Sequence, residues 1–383
     1  MNAKKKNLLV LSPYYPSEAN PFEGIFTEQQ ILELQDVFEN IVIFKMLSLP
    51  NPFKKSFYYF LKNNKSSLVR KGILVINFFY FDNLIINRLM KGRLNSLKFQ
   101  LKLNYYIRGL NKYNYKNKLS QWVLPTTYVF SFLNFKDSNV ISVIRGMDIT
   151  ILRDQFPKEF DISIGLSDKI VANGNYVKNI LKNKIETIYN VKDLSPFLNK
   201  EIKKFSVNQN SFVITHVGRF DDNKRQDLLI DLIVELKKAG INIRLNLIGN
   251  GELLIKVKEY AIEKNVAARI NFTGNINHQE ISKLMALSDF YIHPSHREGI
   301  PNALVEAMAS GCICIARNIG GIPDIINSEN GFLFNEDNEL FNLFMLILKN
   351  KSLVEIKENA RKHVFEIFDN SRNKQLLVNL FDA

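Results

Sequence analysis

Apolar runs and helically spaced apolar residues alternate along the second half of the chain. Runs such as SFVITHVGRF and IRLNLIGNGE end at glycine, which is typical of a strand that enters a loop. Between them, RQDLLIDLIVELKKAG has helical spacing and closes with Lys-Lys-Ala-Gly, a typical helix C-terminus. The same alternation continues through LLIKVKEYAIEKN, RINFTGNI, HQEISKLMALS, DFYIHPS, NALVEAMASG, CICIARN, GGIPDIIN and NGFLF. It predicts a parallel sheet covered by helices on both faces.

The first half repeats this alternation less regularly. The segments KNLLVLSPYYP, NIVIFKML, NVISVIRGMD and DKIVANG predict strands that enter loops, and FTEQQILELQDV and YVKNILKN predict helices. Together they predict a second doubly wound sheet. Periodicity is lost near 190–210, which we interpret as a linker, and the residues from about 351 to 383 have a helical pattern.

Length and composition agree with two globular domains. The chain has 383 residues, of which 46% are hydrophobic and 23% charged. We therefore predict an α/β fold with two doubly wound, Rossmann-like domains that face each other across a cleft, where the carboxyl ends of the strands would bind a ligand. The predicted bounds are 1–195 and 196–360, followed by a C-terminal helix at 361–383 that returns toward the first domain.

Positive charge is concentrated in one part of the chain. Residues 1–200 hold 29 Lys and Arg against 15 Asp and Glu, whereas the remainder holds 22 against 23. Fifteen of the basic residues lie within 54–118 together with a single acid, Asp82, and aromatic residues are interleaved with them. This basic-aromatic segment, residues 54–118, suits an anionic membrane surface or an anionic acceptor. A plain basic surface is the alternative, and we expect no nucleic-acid partner because no recognisable nucleic-acid module accompanies the segment.

Other features bear on the compartment. No apolar run approaches the roughly 18 residues of a membrane-spanning helix. The run from Leu8 to Leu11 is too short for a signal peptide and predicts a buried strand. Cys312 and Cys314, the two cysteines, are too close in sequence to pair readily. These features favour a reduced, cytoplasmic protein, peripheral on the inner face of the cell membrane if the basic-aromatic segment binds lipid.

The loop GRFDDNK follows the first strand of the C-terminal domain. It carries Gly218 together with two cations, Arg219 and Lys224. Cations beside a glycine backbone at a strand end make a suitable site for a diphosphate. A solvated surface loop is the equal alternative for this motif taken alone.

Two acids bracket the start of a helix in REGIPNALVEAMASG. Pro301 suits the first turn of that helix, whose unpaired N–H groups and dipole favour an anion. Glu298 precedes the turn, and Glu306 lies eight residues on, about 12 Å along a helix. Carboxylates accept two hydrogen bonds from vicinal hydroxyls, so each Glu suits a sugar ring. Taken alone, the motif also describes a capped amphipathic helix.

Metal chemistry is not indicated by the remaining polar residues. His216, His293 and His296 have no carboxylate at ligand spacing, so we interpret them as structural. Asp221 and Asp222 belong to the loop that carries the two cations. We therefore predict neither a metal site nor a cofactor.

As a set, the motifs of the second half are specific. HVGRFDDNKRQDLL, LIGNGE, INFTGNI, YIHPSHREGIPNALVEAMASGC and IGGIPDIINSENGFLF follow one another within about 210–335. Together they resemble the C-terminal half of family-4 retaining glycosyltransferases, which have the GT-B fold. The resemblance includes the Arg-x4-Lys pair, the Glu-x7-Glu pair and the Gly-Gly-x-Pro-acid loop that starts at Gly320.

The resemblance implies a role for each motif in binding a nucleotide-sugar donor. Arg219 and Lys224 would hold the diphosphate, Glu298 the hydroxyls of the donor sugar, and Glu306 those of the ribose. Further contacts with the phosphates and the base are implied for Gly218, Asn275, Ile276, Gly299, Ile300, Pro301, Asn302 and Ala303.

The N-terminal half resembles the family more weakly. LSPYYPSEANPFEGIFTEQQ is similar to the family's first loop, in which Gly24 would approach the donor phosphate without a side chain in the way. IRGMD resembles a motif that usually reads His-Gly-x-Asp, so Arg145 replaces the common His and Asp148 is retained. Both are implied catalytic candidates. For Arg145 the alternative is contact with phosphate or an anionic acceptor; for Asp148 it is a helix N-cap.

The implied activity is metal-independent, retaining transfer of a hexose from a nucleotide-diphosphate sugar. UDP is the first expectation for the nucleotide and GDP the second. The implied acceptor is a hydroxyl of a lipid-linked or polysaccharide precursor in bacterial cell-surface polysaccharide synthesis, such as capsule, exopolysaccharide or lipopolysaccharide. Two alternatives are a non-catalytic nucleotide-sugar-binding protein and a nucleotide-sugar epimerase of the same fold.

Overall fold

The computed structural model describes residues 6–17, 24–49, 67–81, 115–128, 138–146, 148–181, 185–190, 192–198, 211–350 and 352–382. The chain forms two compact units. Unit 1 consists of Met1–Asn173, Val177–Lys192 and Asn370–Ala383, and unit 2 of Gly174–Tyr176 and Asp193–Asp369. Most of the basic-aromatic segment and most of the predicted linker lie outside the described residues.

Each unit is built around its own sheet. The strands of unit 1 are β1 Lys6–Ser12, β2 Phe38–Leu49, β3 Ser67–Arg70, β4 Ile73–Phe81, β5 Asn117–Gln121, β6 Asn139–Ile144, β7 Lys169–Ala172 and β8 Ile185–Thr187. Those of unit 2 are β9 Phe212–Val217, β10 Ile243–Ile248, β11 Ile270–Gly274, β12 Phe290–His293, β13 Ile313–Arg317 and β14 Phe332–Phe334.

Helices connect most of these strands. They are α1 Ile25–Leu32, α2 Pro157–Gly165, α3 Tyr176–Leu181, α4 Ser195–Leu198, α5 Gln226–Lys238, α6 Leu254–Glu263, α7 His278–Leu287, α8 Asn302–Ala309, α9 Glu339–Ile347, α10 Leu353–Ile367 and α11 Asn370–Asp382. Single helical turns occupy Val123–Thr127, Asp148–Leu152, Arg153–Gln155, Ala267–Arg269 and Ile322–Asp324. The helical run predicted from about 351 thus forms two helices, α10 and α11.

The strand orders are those of doubly wound folds. Unit 2 has the order β11-β10-β9-β12-β13-β14, with every pair parallel. Unit 1 has the order β3-β4-β2-β1-β5-β6-β7-β8 and is parallel apart from the β3–β4 pair. The direction of strand order reverses between β9 and β12 in unit 2, and between β1 and β5 in unit 1. Such a switch point opens a crevice at the carboxyl ends of the strands. The predicted α/β fold with two parallel sheets is confirmed.

The antiparallel pair lies within the basic-aromatic segment, where the sequence pattern predicts no strand. β3 and β4 are joined at Lys71 and Gly72, both with positive φ, as a tight hairpin turn requires. Arg70 and Lys71 contact Glu28, a buried residue of α1, with Lys71 Nζ 3.0 Å from the carboxylate. Some of the segment's cations therefore have a partner inside unit 1.

Local sequence explains why the elements of unit 2 form where they do. In α5, buried leucines and isoleucines recur at helical spacing and join the core beside β9 and β10. α7 begins with a capping box: the Asn277 side chain accepts from the Glu280 N–H at 3.0 Å, and the Glu280 carboxylate accepts from the Asn277 N–H at 3.1 Å. In the described part of the chain, no helix combines the length and apolar character needed to cross a membrane.

Replacing Phe344 of α9 by alanine should lower the free energy of unfolding of unit 2 by about 3–5 kcal/mol, because it empties a packed core site. Phe344 is fully buried and its ring centroid lies 4.7 Å from that of Phe290 in β12. Urea denaturation followed by circular dichroism measures the change. Leu346→Ala is the matched control, since this residue of the same helix is 64% exposed and should change the value by less than about 0.5 kcal/mol. Equal losses in the two variants would contradict the prediction.

Candidate active site

The candidate site of unit 2 lies at the switch point of its sheet. β9 ends at Val217 and continues into the loop Gly218–Arg225, while β12 ends at His293 and continues into Pro294–Pro301 and α8. Because β9 and β12 are adjacent parallel strands, both loops leave the sheet at the same edge. The two motifs that are far apart in sequence therefore meet.

Lys224 and Glu298 are the residues at which the two loops touch. Lys224 Nζ lies 2.5 Å from Glu298 Oε1, and both side chains are mostly buried, with exposed fractions of 21% and 11%. His293 Nε2 lies 2.8 Å from the same carboxylate oxygen. Sequence reasoning had assigned His293 a structural role and missed this contact, because the spacing of residues 293 and 298 does not say which way the loop turns.

Glu298 is held as a carboxylate. Its burial by itself would raise its pKa, but the His293 ring and the Lys224 ammonium outweigh burial and lower the pKa to about 2. A lowered pKa means that the ionised group stabilises the folded state above pH 4.5 and loses this effect as the pH falls toward 2. At neutral pH the site presents an anionic acceptor beside a cation.

Two glycines let the backbone pack tightly around this pair. A Cβ on Gly320, which has a φ of +53°, would lie 2.0 Å from the carbonyl oxygen of Glu298. A Cβ on Gly249, with a φ of +132°, would lie 2.1 Å from the carbonyl oxygen of Gly218. Both positions combine left-handed backbone with close approach, so only glycine fits them.

Asn223 joins the two loops through three hydrogen bonds. Its side chain accepts from the Arg297 N–H at 2.9 Å and donates to the Arg297 carbonyl at 3.0 Å. Its own carbonyl accepts from the His296 N–H at 2.9 Å. Sequence reasoning missed this residue, and no signal in the sequence distinguished it from other loop asparagines.

Arg219 lies apart from the Lys224–Glu298 pair. Its side chain is 75% exposed, and its Nε donates to Asp221 at 2.8 Å. The long exposed side chain can reach a ligand, but the structure does not bring it to the other predicted cation. Its role in binding diphosphate stays a prediction.

Helix α8 starts at Asn302, the first residue of the predicted helical segment NALVEAMASG. Pro301 precedes the first turn, with φ −74° and an extended ψ of 122°, and the helix runs from Asn302. A proline fits this position because its fixed φ suits both the cap and the first turn. Glu306 lies inside α8 and is 9% exposed. The backbone from Gly299 to Pro301 thus leads into the first turn of the helix, and its role in binding phosphate stays a prediction.

The predicted base-binding residues lie in the loop that follows β11. Asn275 is exposed and Ile276 half-buried, between β11 and α7. Their loop is tied to the site, because Gly249 N–H donates to the Gly274 carbonyl at 3.0 Å and Gly218 N–H to the Ile248 carbonyl at 3.0 Å.

In unit 1, Gly24 precedes α1 with a φ of +68°. A Cβ at this position would lie 2.5 Å from the Tyr14 carbonyl carbon, so glycine is required by the local fold. This reason is independent of the predicted approach to a phosphate, which stays a prediction.

Asp148 connects two loops of unit 1. Its buried carboxylate accepts from the N–H groups of Val123, Leu124 and Arg145 at 3.1, 3.0 and 2.9 Å. It therefore caps the turn Val123–Thr127, whereas the sequence alternative was an N-cap for its own helix. Burial raises the pKa of Asp148 to about 6 despite these hydrogen bonds. A catalytic part for Asp148 stays a prediction.

Arg145 is buried beside Asp148. Its guanidinium donates to the side-chain oxygens of Asn190 and Gln121 and lies over the ring of Phe26, with Cζ 4.8 Å from the ring centroid. The switch-point edge of unit 1 thus carries a fixed positive charge. The predicted contact with phosphate or an anionic acceptor stays a prediction.

The remaining histidines are engaged within unit 2. His216 Nδ1 lies 2.9 Å from the Ile292 carbonyl, and His296 Nε2 lies 2.9 Å from Arg225 Nη1. Across the described ranges there is no group of three or more His, Cys, Asp or Glu side chains arranged to hold a metal ion.

Comparison with known proteins defines the class. In solved structures, the Anabaena protein HepE in complex with UDP matches with a TM-score of 0.70 and 17% identity over 98% of this chain and 99% of that one. The fold is GT-B, the two-domain architecture of many glycosyltransferases. Residues 199–363 match the model of glycosyl transferases group 1. The predicted resemblance to glycosyltransferases is confirmed, while assignment to family 4 stays a prediction.

Two of the curated relatives are bacterial glycosyltransferases named for a role or a substrate. The Staphylococcus aureus capsular polysaccharide biosynthesis glycosyltransferase CapH is 30% identical over 55% of this chain and 58% of its own length. The Escherichia coli UDP-Gal:alpha-D-GlcNAc-diphosphoundecaprenol alpha-1,3-galactosyltransferase is 30% identical over 49% of this chain and 51% of its own. The chain thus spans little more than half the length of these two relatives. Over the matched part, the chain is thus similar to glycosyltransferases of bacterial polysaccharide synthesis.

Proposed function

We propose that the chain is a retaining glycosyltransferase that moves a sugar from a UDP-sugar to a hydroxyl of a lipid-linked or polysaccharide precursor of the bacterial cell surface. One observation carries the proposal: Lys224 and Glu298 meet at the switch point of unit 2, beside the start of α8. Two relatives support the chemistry by name, one as a capsular enzyme and one as a UDP-galactose-dependent enzyme. We assign donor binding to unit 2 and acceptor binding to unit 1.

Lys224 and the start of α8 supply the positive end of the site. A diphosphate placed there would contact the Lys224 ammonium and the N–H groups of the first helical turn, with Arg219 reaching in from the surface. These donors are fixed by the fold and would stabilise the charge that grows on the leaving phosphate in the transition state. The site therefore needs no metal ion to neutralise the diphosphate.

Glu298 and Glu306 supply the acceptors for hydroxyl groups. Glu298 lies at the loop end next to Lys224, so its carboxylate would accept from the hydroxyls of the transferred sugar. Glu306 lies inside α8 and would accept from the ribose. The diphosphate would then lie between the two acids, along the start of the helix.

The chemical step needs no enzymic nucleophile. The acceptor oxygen attacks the anomeric carbon from the face that the phosphate leaves, the bond to the phosphate oxygen breaks, and that oxygen takes the acceptor proton. The configuration is retained, and the charge on the diphosphate is met by the donors described above. This order of events is the one expected of family-4 enzymes, to which we assign the chain.

A thermal-shift screen tests the donor. With UDP, UDP-glucose, UDP-galactose, UDP-N-acetylglucosamine and GDP-mannose as probes, one UDP-sugar should raise the melting temperature most, because a ligand of the folded state stabilises it by mass action. At a hundredfold excess over Kd the stabilisation is about 2.7 kcal/mol. The Lys224→Met variant is the control and should show a smaller shift. No shift with any probe would contradict the proposal.

A non-catalytic nucleotide-sugar-binding protein is the second candidate. Arg145, in place of the family's usual His, favours it, since a buried guanidinium cannot act as a neutral imidazole would. Hydrolysis of the UDP-sugar or glycosylation of a lipid-linked acceptor distinguishes the enzyme from the binding protein. Release of an epimerised sugar nucleotide would instead indicate an epimerase.

We further propose that the basic-aromatic segment attaches the protein to an anionic membrane surface, as suits a lipid-linked acceptor. Replacing Lys54, Lys55, Lys62 and Lys65 by glutamine should weaken binding to phosphatidylglycerol vesicles by about 1 kcal/mol per charge removed. Co-sedimentation with the vesicles measures the binding. Arg70 and Lys71 are left unchanged because they contact Glu28. The control is the same replacement by glutamine at four lysines of unit 2: Lys238, Lys256, Lys264 and Lys283. Absent or salt-independent binding by the unaltered protein would contradict the proposal.

A further inference from the structure

We propose that His293 is a positioning residue that holds the carboxylate of Glu298 in place when Lys224 turns to the donor diphosphate. The inference rests on the proposed function, because it gives Glu298 the sugar and Lys224 the diphosphate. It assigns a task to a buried ring that the sequence pattern marks only as the end of strand β12.

Two donors converge on one oxygen of Glu298. Lys224 Nζ is 2.5 Å from Oε1 and His293 Nε2 is 2.8 Å from it. In the described part of the structure, the contacts of this side chain are made through Oε1. Oε2 is therefore the oxygen that can accept from a sugar hydroxyl without displacing either donor.

The two donors differ in their freedom to move. Lys224 has a flexible four-carbon side chain, 21% exposed, on the loop that would meet the diphosphate. A diphosphate carries more charge than one carboxylate and would compete for the ammonium. Once the Lys224 ammonium is shared with the diphosphate or leaves Glu298, Oε1 depends on the hydrogen bond from His293.

The His293 ring is held more firmly than the flexible Lys224 side chain. It is 1% exposed, and its ring nitrogens have further partners: Tyr291 OH lies 3.2 Å from Nδ1, and Ser295 Oγ lies 3.1 Å from Nε2. Nε2–H donates to Glu298, and Nδ1 pairs with the Tyr291 hydroxyl. A ring held at both nitrogens keeps the Glu298 carboxylate at one orientation.

Glu298 needs such a partner because it is itself mostly buried. A carboxylate removed from water tends to take up a proton unless hydrogen bonds or cations compensate it. A protonated Glu298 would lose acceptor capacity and could turn away from the sugar. With His293 in place, the group stays ionised after Lys224 has been engaged by the diphosphate.

Among the described residues, the second histidine beside His293 does not replace it. The titratable and charged groups that surround the His293–Tyr291 pair are His216 of β9, Lys224, Glu298, Glu306 of α8 and Cys314 of β13. Burial first, and then the neighbouring His293, lower the pKa of His216 to about 3, so this second ring stays neutral. His216 is moreover committed to the Ile292 carbonyl.

The test compares His293→Leu with His293→Gln. Leucine removes the donor, whereas the glutamine amide can donate from a position close to Nε2. Titration calorimetry with UDP alone and with the UDP-sugar selected by the thermal-shift screen reports binding. Steady-state kinetics with the same UDP-sugar, from pH 5 to 8, report kcat, KM and the pH dependence.

We expect His293→Leu to lower kcat/KM by at least about tenfold and to weaken binding of the UDP-sugar while leaving that of UDP within about twofold. Its activity should fall already at mildly acidic pH, since Glu298 then protonates more easily. His293→Gln should recover most of the loss. Tyr291→Phe removes the partner of Nδ1 and a 3.4 Å hydrogen bond to the Val217 carbonyl. It should give a smaller effect, and it keeps the test possible if His293→Leu fails to fold.

Several outcomes would overturn the inference. One is a His293→Leu protein with unaltered kcat/KM and pH profile. Another is an equal loss of affinity for UDP and for the UDP-sugar, which would show that the ring supports the whole site and not Glu298. If the unaltered protein bound no UDP-sugar at all, the proposed function would fail first and the inference with it.

Discussion

Replacing Glu298 by alanine or glutamine should lower sugar transfer tenfold or more, and replacing Lys224 by alanine or methionine should do the same. Tenfold corresponds to about 1.4 kcal/mol of lost transition-state stabilisation, which one charge-assisted hydrogen bond to a developing charge exceeds. Glu298 would lose its contact with the sugar hydroxyls, and Lys224 its contact with the diphosphate. The isosteric variants, glutamine and methionine, remove charge while keeping most of the volume.

Initial rates with the selected UDP-sugar, together with circular dichroism and the melting temperature, measure the effect and check the fold. Removing Glu298 leaves Lys224 without its carboxylate, and removing Lys224 leaves Glu298 with His293 alone, so some loss of stability accompanies each single change. The double variant Lys224→Met/Glu298→Gln removes both charges and should be inactive yet more stable than the sum of the single changes predicts. Lys238→Met, on an exposed face of α5, is the control for removal of a cation. Transfer at the unaltered rate in the Glu298 or Lys224 variants would refute the site.

Replacing Gly320 by alanine should abolish most of the activity and destabilise unit 2 by at least about 1–2 kcal/mol, the cost of a left-handed backbone for an L-residue. The added Cβ would lie 2.0 Å from the Glu298 carbonyl oxygen, so that the Glu298 backbone must move. A shift of about 1 Å in a positioning loop can lower a rate about a hundredfold. Transfer rates and urea denaturation measure the two effects.

Gly240→Ala is the matched control. Gly240, which follows α5, also has a positive φ, of +75°, but a Cβ there meets nothing within 4 Å. It should lose stability through backbone strain and keep the transfer rate of the unaltered protein. If Gly320→Ala and Gly240→Ala had the same activity, the close packing of Gly320 against Glu298 would have no functional consequence.

Much of the fold was predictable because its signals are local. Strands that end in glycine, helices with a polar face and the alternation of both depend on neighbouring residues, and they predicted the strands from β9 to β14 in order. The β3–β4 hairpin was missed because basic and aromatic residues hid the pattern of its two strands, of four and nine residues. The start of α8 at Asn302 was predicted, but Pro301 lies at the cap and not in the first turn, because proline suits both positions.

The candidate site was predictable only as a set of residue types. Lys224 and Glu298 are 74 residues apart, and their contact depends on β9 and β12 being neighbours in the sheet. The Asn223 bridge and the ring contact of His293 depend in turn on how two loops settle against each other. Asp148 shows the same limit in unit 1, since its carboxylate binds backbone groups more than twenty residues earlier.

The sequence by itself determined that this protein has two doubly wound domains and that cations and carboxylates follow the strand ends of the second. These features follow from hydrophobic periodicity and from short motifs, which act over a few residues. The tertiary structure alone decided that Lys224 and His293 share one oxygen of Glu298, and that Arg219 stays exposed. Such contacts are set by strand order and by packing between distant segments, and no short stretch of sequence contains either.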